Sequence, residues 1–73
     1  PSTKIEYFSP SLGLVKISIH NLRGALLDVI FDGEVNAGDH QLEWQPVNFS
    51  SGIYIMRFEF YNKIINKKIT FIK

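Results

Sequence analysis

Seventy-three residues with eight Lys+Arg against seven Asp+Glu, a formal net charge of +1, make one small domain. That balance excludes binding to nucleic acid or to an anionic membrane through bulk charge. Cysteine is absent, so neither a disulfide framework nor a thiolate metal site holds the chain together. The core must come instead from six Phe, three Tyr and one Trp, each ring burying roughly 150–250 Å².

The apolar period is two along the chain, which predicts strands and no helix. Residues 3–8 form the first strand, with Ile5 and Tyr7 on one face. Ser9-Pro10-Ser11-Leu12-Gly13 is a turn, Pro fixing φ and Gly permitting positive φ. Residues 14–20 alternate cleanly: Val15, Ile17 and Ile19 point one way, Lys16, Ser18 and His20 the other. Asn21-Leu22-Arg23-Gly24 closes a hairpin onto a third strand, residues 25–31. There Leu27, Val29 and Phe31 share one face while Leu26 and Ile30 take the other, which predicts a bulge or a strand covered on both sides.

Asp32-Gly33-Glu34 and Asn36-Ala37-Gly38 are two turn signals in succession. They lead into a fourth strand, residues 39–45, whose alternation puts His40, Leu42 and the single tryptophan, Trp44, on one face. Residues 46–51 are a polar loop around Phe49. The fifth strand, residues 52–61, aligns Tyr54, Met56, Phe58 and Phe60. Asn62-Lys63 turns the chain into a sixth, residues 64–73, which aligns Ile65, Ile69 and Phe71. Six or seven short strands at intervals of roughly 8–12 residues predict an all-β antiparallel sandwich or barrel, and two sheets over one aromatic core suit the composition best.

Chemistry is sparse. No hydroxyl sits on a Gly-x-Ser-x-Gly elbow, no Gly-rich loop cradles phosphate, and no paired carboxylates converge in a cleft, so the sequence predicts no enzyme and no cofactor. His20 reads as a solvent-facing strand residue, and His40 as a rim histidine packed on rings. Counted from Asp32, oxygen ligands fall at loop positions one, three, five and twelve (Asp32, Glu34, Asn36, Glu43), the spacing of a calcium-binding loop. The sixth position, however, is Ala37 where that loop needs Gly, and no helices flank it. Ordinary turns between strands are the better reading, with no metal. Asn48-Phe49-Ser50 matches a glycosylation sequon and reads as chance in a loop. Lys67 and Lys68 leave opposite faces of one strand, so they guard a sheet edge rather than form one phosphate-binding stripe. The longest apolar runs, such as residues 52–56, fall far short of the ~18 residues of a spanning helix. Pro1-Ser2-Thr3 reads as a cut through a larger protein.

Four blocks in order carry a resemblance. They are Val15-Lys16-Ile17-Ser18-Ile19-His20-Asn21-Leu22-Arg23-Gly24, then Ala37-Gly38-Asp39-His40-Gln41-Leu42-Glu43-Trp44, then Ser51-Gly52-Ile53-Tyr54, and Lys68-Ile69-Thr70-Phe71-Ile72-Lys73. Over essentially its whole length the chain resembles the C-terminal sorting domain of type IX (Por) secretion substrates, a family related to the Ig-like domain of the flagellar hook-cap protein. The resemblance implies an Ig-like antiparallel β-sandwich and a non-catalytic signal. That signal would direct an N-terminal cargo domain of the same polypeptide through the periplasm and outer membrane to the cell surface or medium of a bacterium. It further implies two partners, an outer-membrane secretion translocon and a sortase-like peptidase that removes the domain. Gly52 and Tyr54 match the family's Gly-x-Tyr motif, Lys68 and Lys73 its terminal lysine motif, and Gly24 and Gly38 its turn glycines, with Trp44 a core anchor. Gly52 is expected to give room in a crowded strand, and Tyr54 to bury its ring while its hydroxyl reaches a loop backbone. His20 departs from the family, where Tyr is usual, and the Asn-Pro-Phe-Asn run that members carry would precede Pro1. Two rivals stand beside this reading: an Ig-like accessory module that spaces or binds carbohydrate for an extracellular hydrolase, with Tyr61 and Phe49 as free rings, and a structural assembly domain.

Overall fold

Alternating side chains give six strands in a computed structural model that describes residues 3–72. They are β1 (Thr3–Ser9), β2 (Gly13–His20), β3 (Leu26–Val35), β4 (Gly38–Trp44), β5 (Gly52–Phe60) and β6 (Lys63–Phe71). All pairings are antiparallel: a two-stranded sheet, β1-β4, lies over a four-stranded one ordered β3-β2-β5-β6. The sandwich expected from the period is the one formed. Lys73, the end of the predicted sixth strand, lies outside the described residues.

One apolar interior joins the sheets. Val15 and Ile17 pack with Val35 and Phe60 at one end, and Ile5 and Ile19 with Trp44 at the other. Tyr7, Ile30, Leu42 and Met56 touch both groups, so neither end is a separate core. Burial at roughly 25 cal/mol per Å² makes this interior the main source of stability, since no covalent staple exists.

Local chemistry sets the connections. Ser9 Oγ donates to the Ser11 carbonyl at 2.7 Å, bending the chain out of β1. Gly13 lacks the positive φ expected of it; a Cβ there would lie 2.9 Å from the Tyr61 hydroxyl and 3.0 Å from the Phe60 ring, so close approach is what this position requires. Between β2 and β3, Asn21 Oδ1 accepts from the backbone N–H groups of Arg23 and Ala25, each at 2.9 Å. Gly24 (φ 90°) and Gly38 (φ 119°) take the left-handed conformations their turns need, as the sequence predicts. The β5–β6 hairpin turns on Tyr61 (φ 54°) and Asn62, so Tyr61 belongs to the turn rather than to the strand.

β3 departs from expectation in a way its pairing explains. Asp32-Gly33-Glu34 is not a turn; the strand runs through it to Val35, with Asp32 opposite Lys16, Gly33 opposite Val15 and Glu34 opposite Leu14. β2 offers a ladder of matching length, and the Phe31 ring lies against Gly33. The predicted bulge is present, and there are two: the register with β2 skips Ile30 and Leu27. The first resets the faces. Phe31 stands opposite inward Ile17, whereas Val29 stands opposite Ser18 on the outer side, so the two do not share a face as predicted.

Candidate functional site

Of the residues singled out by the Gly-x-Tyr and lysine motifs, Gly52, Tyr54 and Lys68 gather at the end of the sandwich where β5 begins and β6 ends, while Lys73 lies outside the described residues. Gly52 pairs with Phe71, Tyr54 with Ile69, and Ile55 with Lys68. Alternation then divides the motif between two faces. Tyr54 turns inward, against the group of Ile5, Ile19 and Trp44. Lys68 turns outward into solvent.

The inner side of this corner is an aromatic stack. Trp44, 3% exposed, meets Phe49 edge-on with centroids 5.3 Å apart and Phe71 at 6.1 Å. Phe49 in turn meets Tyr54 at 5.3 Å. The ring of Phe49 therefore wedges between Trp44 and Tyr54 and fixes the loop before β5. It is not a free ring, contrary to expectation, because the loop folds back over the open end of the core. Tyr54 behaves as predicted, its hydroxyl donating to the Ser50 carbonyl four residues upstream.

Gly52 does not sit in a crowded place. A Cβ there would meet only the Tyr54 ring, at 4.0 Å, and its φ is not positive. Among the described residues nothing gives a steric reason for glycine at this position. Asp28 is a residue that sequence reasoning passed over: its Oδ2 accepts a hydrogen bond from Trp44 Nε1 at 3.3 Å. A lone carboxylate inside an apolar strand was the available signal, masked by the bulges that set its direction.

On the outer face the largest correction concerns His20. It is 6% exposed rather than solvent-facing. Its Nε2 lies 2.9 Å from Ser18 Oγ, and its Nδ1 lies 3.3 Å from the Gly24 carbonyl. A carbonyl only accepts, so Nδ1 donates to Gly24, and in the neutral ring Nε2 accepts from the Ser18 hydroxyl. In register, Leu26 and Ile55 flank His20, and Val29 and Arg57 flank Ser18. Alternation correctly assigned the face but carries no information about what covers it. The pair is a satisfied internal network: Ser18 is itself buried, so its hydroxyl is not presented to any substrate.

His40 is the rim histidine expected. Its ring stacks on Tyr7 at 5.3 Å, and Nε2 bonds the Asn36 carbonyl at 2.6 Å. Tyr7 also touches Phe58 at 5.4 Å, and burial raises the pKa of its phenol above the ordinary value. The calcium-loop spacing dissolves in space. Asp32 and Glu34 lie within β3 of the four-stranded sheet, while Glu43 lies in β4 of the other. Among the described residues no group of three or more His, Asp or Glu side chains could hold a metal ion, and no helix is long and apolar enough to cross a membrane.

Comparison with known proteins adds one match. Residues 1–73, the whole chain, match the family described as the secretion system C-terminal sorting domain. No curated protein and no solved structure matches the chain.

Proposed function

We propose, from the premise that this chain belongs to the secretion system C-terminal sorting domain family, that its β5–β6 corner is what the export machinery reads. The family supplies the function itself: a C-terminal sorting signal for type IX secretion, which marks its protein for export to the cell surface or medium. A sorting signal serves a cargo and the type IX machinery. The finer reading is that an outer-membrane translocon recognises the folded domain and a sortase-like peptidase then removes it. On this reading the chain is one Ig-like unit of a larger exported protein, performs no catalysis and shares ancestry with the Ig-like domain of the flagellar hook cap.

The observation that carries the assignment of residues is the split of the motif across the sheet. Tyr54 holds the corner from inside, whereas Lys68 is exposed and free to meet a partner. Lys73 belongs with Lys68 by motif. Gly52 adds support, because among the described residues only the Tyr54 ring comes near it and packing does not call for glycine there.

A fluorescent cargo fused to this domain in a type IX-secreting bacterium tests the reading. The fusion reaches the medium, Lys68→Ala with Lys73→Ala lowers that export, and the purified variant melts as the parent does, since surface changes usually cost under about 0.5 kcal/mol. Gly52→Ala is the sharper case. Its Cβ has room, so stability holds or rises by about 0.4–1 kcal/mol. Lost export in that folded variant reports recognition. Undiminished export of all three substitutions sinks the assignment of the corner.

The accessory-module reading rests on Phe8 and Tyr61, exposed rings that line one hollow of about 400 Å³ with Phe58 and Phe60. It stands second because the Tyr61 hydroxyl is already engaged by the Leu12 carbonyl, at 3.0 Å. Binding of cellulose or chitin oligomers that Tyr61→Ala abolished would bring it forward.

A further inference from the structure

The outer face of the four-stranded sheet carries exposed aliphatic side chains along its whole length, Leu14 and Ile64 at one end included, but its two halves differ in charge. By register, one half sets Asp32, Lys16 and Glu59 side by side on β3, β2 and β5, a ladder in which each charge stands beside its opposite. The other half sets Leu26, His20, Ile55 and Lys68 in one row and Val29, Ser18, Arg57 and Asn66 in the next. Ile53 extends this second half along β5. Its apolar members are open: Leu26 is 55% exposed, Val29 40% and Ile53 50%.

Two cations stand in this second half. Arg57 Nε donates to Asn66 Oδ1 at 3.2 Å, a neutral partner, and the carboxylate next to it on its strand, Glu59, stands opposite Lys16. Lys68 has Ile55 across from it and Asn66 and Thr70 beside it on β6. On β2 between them and β3, Ser18 and His20 are buried and hydrogen-bonded to each other.

We propose that this half-face is the docking surface for a protein of the export machinery whose contact area is apolar and carries a carboxylate that seats between Arg57 and Lys68. The proposal rests on the sorting function above and names the chemistry of its partner. Exposed aliphatic side chains set around two cations on one sheet face mark a contact surface. Two cations that have no carboxylate partner among the described residues attract a negative group, and a guanidinium pairs with a carboxylate in a forked geometry. The same charges argue against a lipid surface. Asp32, Glu34 and Glu59 lie on the same face, and an anionic bilayer pressed against it would meet all three. A protein contact ends before them.

The test uses the reporter fusion in the secreting bacterium with three variants. Val29→Glu and Lys68→Glu each place a negative charge in the contact, and Ile64→Glu places one on the other half of the face. Expected is a fall in export of about tenfold for each of the first two, the effect of losing one strong contact residue, with Ile64→Glu exported as the parent is. Melting curves confirm folding; Lys68→Glu, whose side chain is exposed, carries the test if Val29→Glu does not fold. Parent-level export of Lys68→Glu overturns the docking surface and leaves the sorting function standing. Failure of the unaltered fusion to be exported overturns the sorting function itself. Binding of the purified chain to phosphatidylglycerol vesicles, lost in Lys68→Glu, overturns a protein partner in favour of lipid. A dimer in sedimentation that Val29→Glu dissociates overturns it in favour of a second copy of the chain.

Discussion

At the residue scale, Trp44 links three structural elements. Its ring packs on Phe49 of the loop and Phe71 of β6, and its indole N–H reaches Asp28 of β3. Trp44→Ala removes all three contacts and leaves a cavity, a loss of about 3–5 kcal/mol. A domain of this size has on the order of 5 kcal/mol in total, so the variant is at the edge of unfolding. Trp44→Phe keeps most of the packing and leaves the Asp28 carboxylate without its donor, at about 1–3 kcal/mol. Urea titrations of both variants check the order; a Trp44→Ala variant as stable as the parent would remove Trp44 from its place as anchor.

At the element scale, β1 and β4 share the smaller hold of a two-stranded sheet. β1 pairs only with β4, and neither strand joins the larger sheet by backbone hydrogen bonds. What binds this small sheet to the other is side-chain packing, Ile5 and Tyr7 above all. Burial raises the Tyr7 phenol pKa, because the charged form is poorly solvated there. The sign follows directly. A pKa raised in the folded state means that the native chain holds its proton where the unfolded chain releases it. The stabilisation is complete below the unfolded value of about 10 and is lost as pH rises through the folded value. Stability therefore falls above about pH 10, and Tyr7→Phe, which cannot ionise, flattens that part of the fall. Chemical denaturation from pH 8 upward measures it; identical alkaline slopes in the two proteins would contradict the coupling. The edge strands are managed differently. β6 ends the larger sheet and carries Lys63, Lys67 and Lys68, charges that discourage pairing with another chain.

For the whole molecule, the arrangement of the two sheets decides the question of calcium. Asp32 and Glu43 belong to different sheets, so no single loop wraps the oxygens that the spacing brings together on paper. Thermal melts in calcium and in chelator are expected to coincide, and Asp32→Asn to melt as the parent does. An ion bound only by the native state would raise the melting temperature with its concentration. A reproducible rise that Asp32→Asn abolished would overturn the geometry of β3 as a continuous strand.

Outside β3, the sequence by itself determined where the strands lie and which side chains leave each side, and it determined that the Tyr54 ring would turn inward and its hydroxyl bond a loop carbonyl. These are properties of near neighbours: a period of two and the conformational limits of Gly, Pro and Asn act over a few residues. The four ordered motif blocks carried the family as well, because short motifs survive in sequence without reference to packing. Only the tertiary structure decided what covers each face. It buried His20 and Ser18 between flanking strands, wedged Phe49 between Trp44 and Tyr54, aimed Asp28 at the indole and drew Asp32-Gly33-Glu34 into β3. Each outcome depends on segments far apart in the chain, β2 against β5 or β1 against β4, meeting in one register. A bulge of one residue resets that register for everything beyond it, and no local pattern records which partner the strand will find.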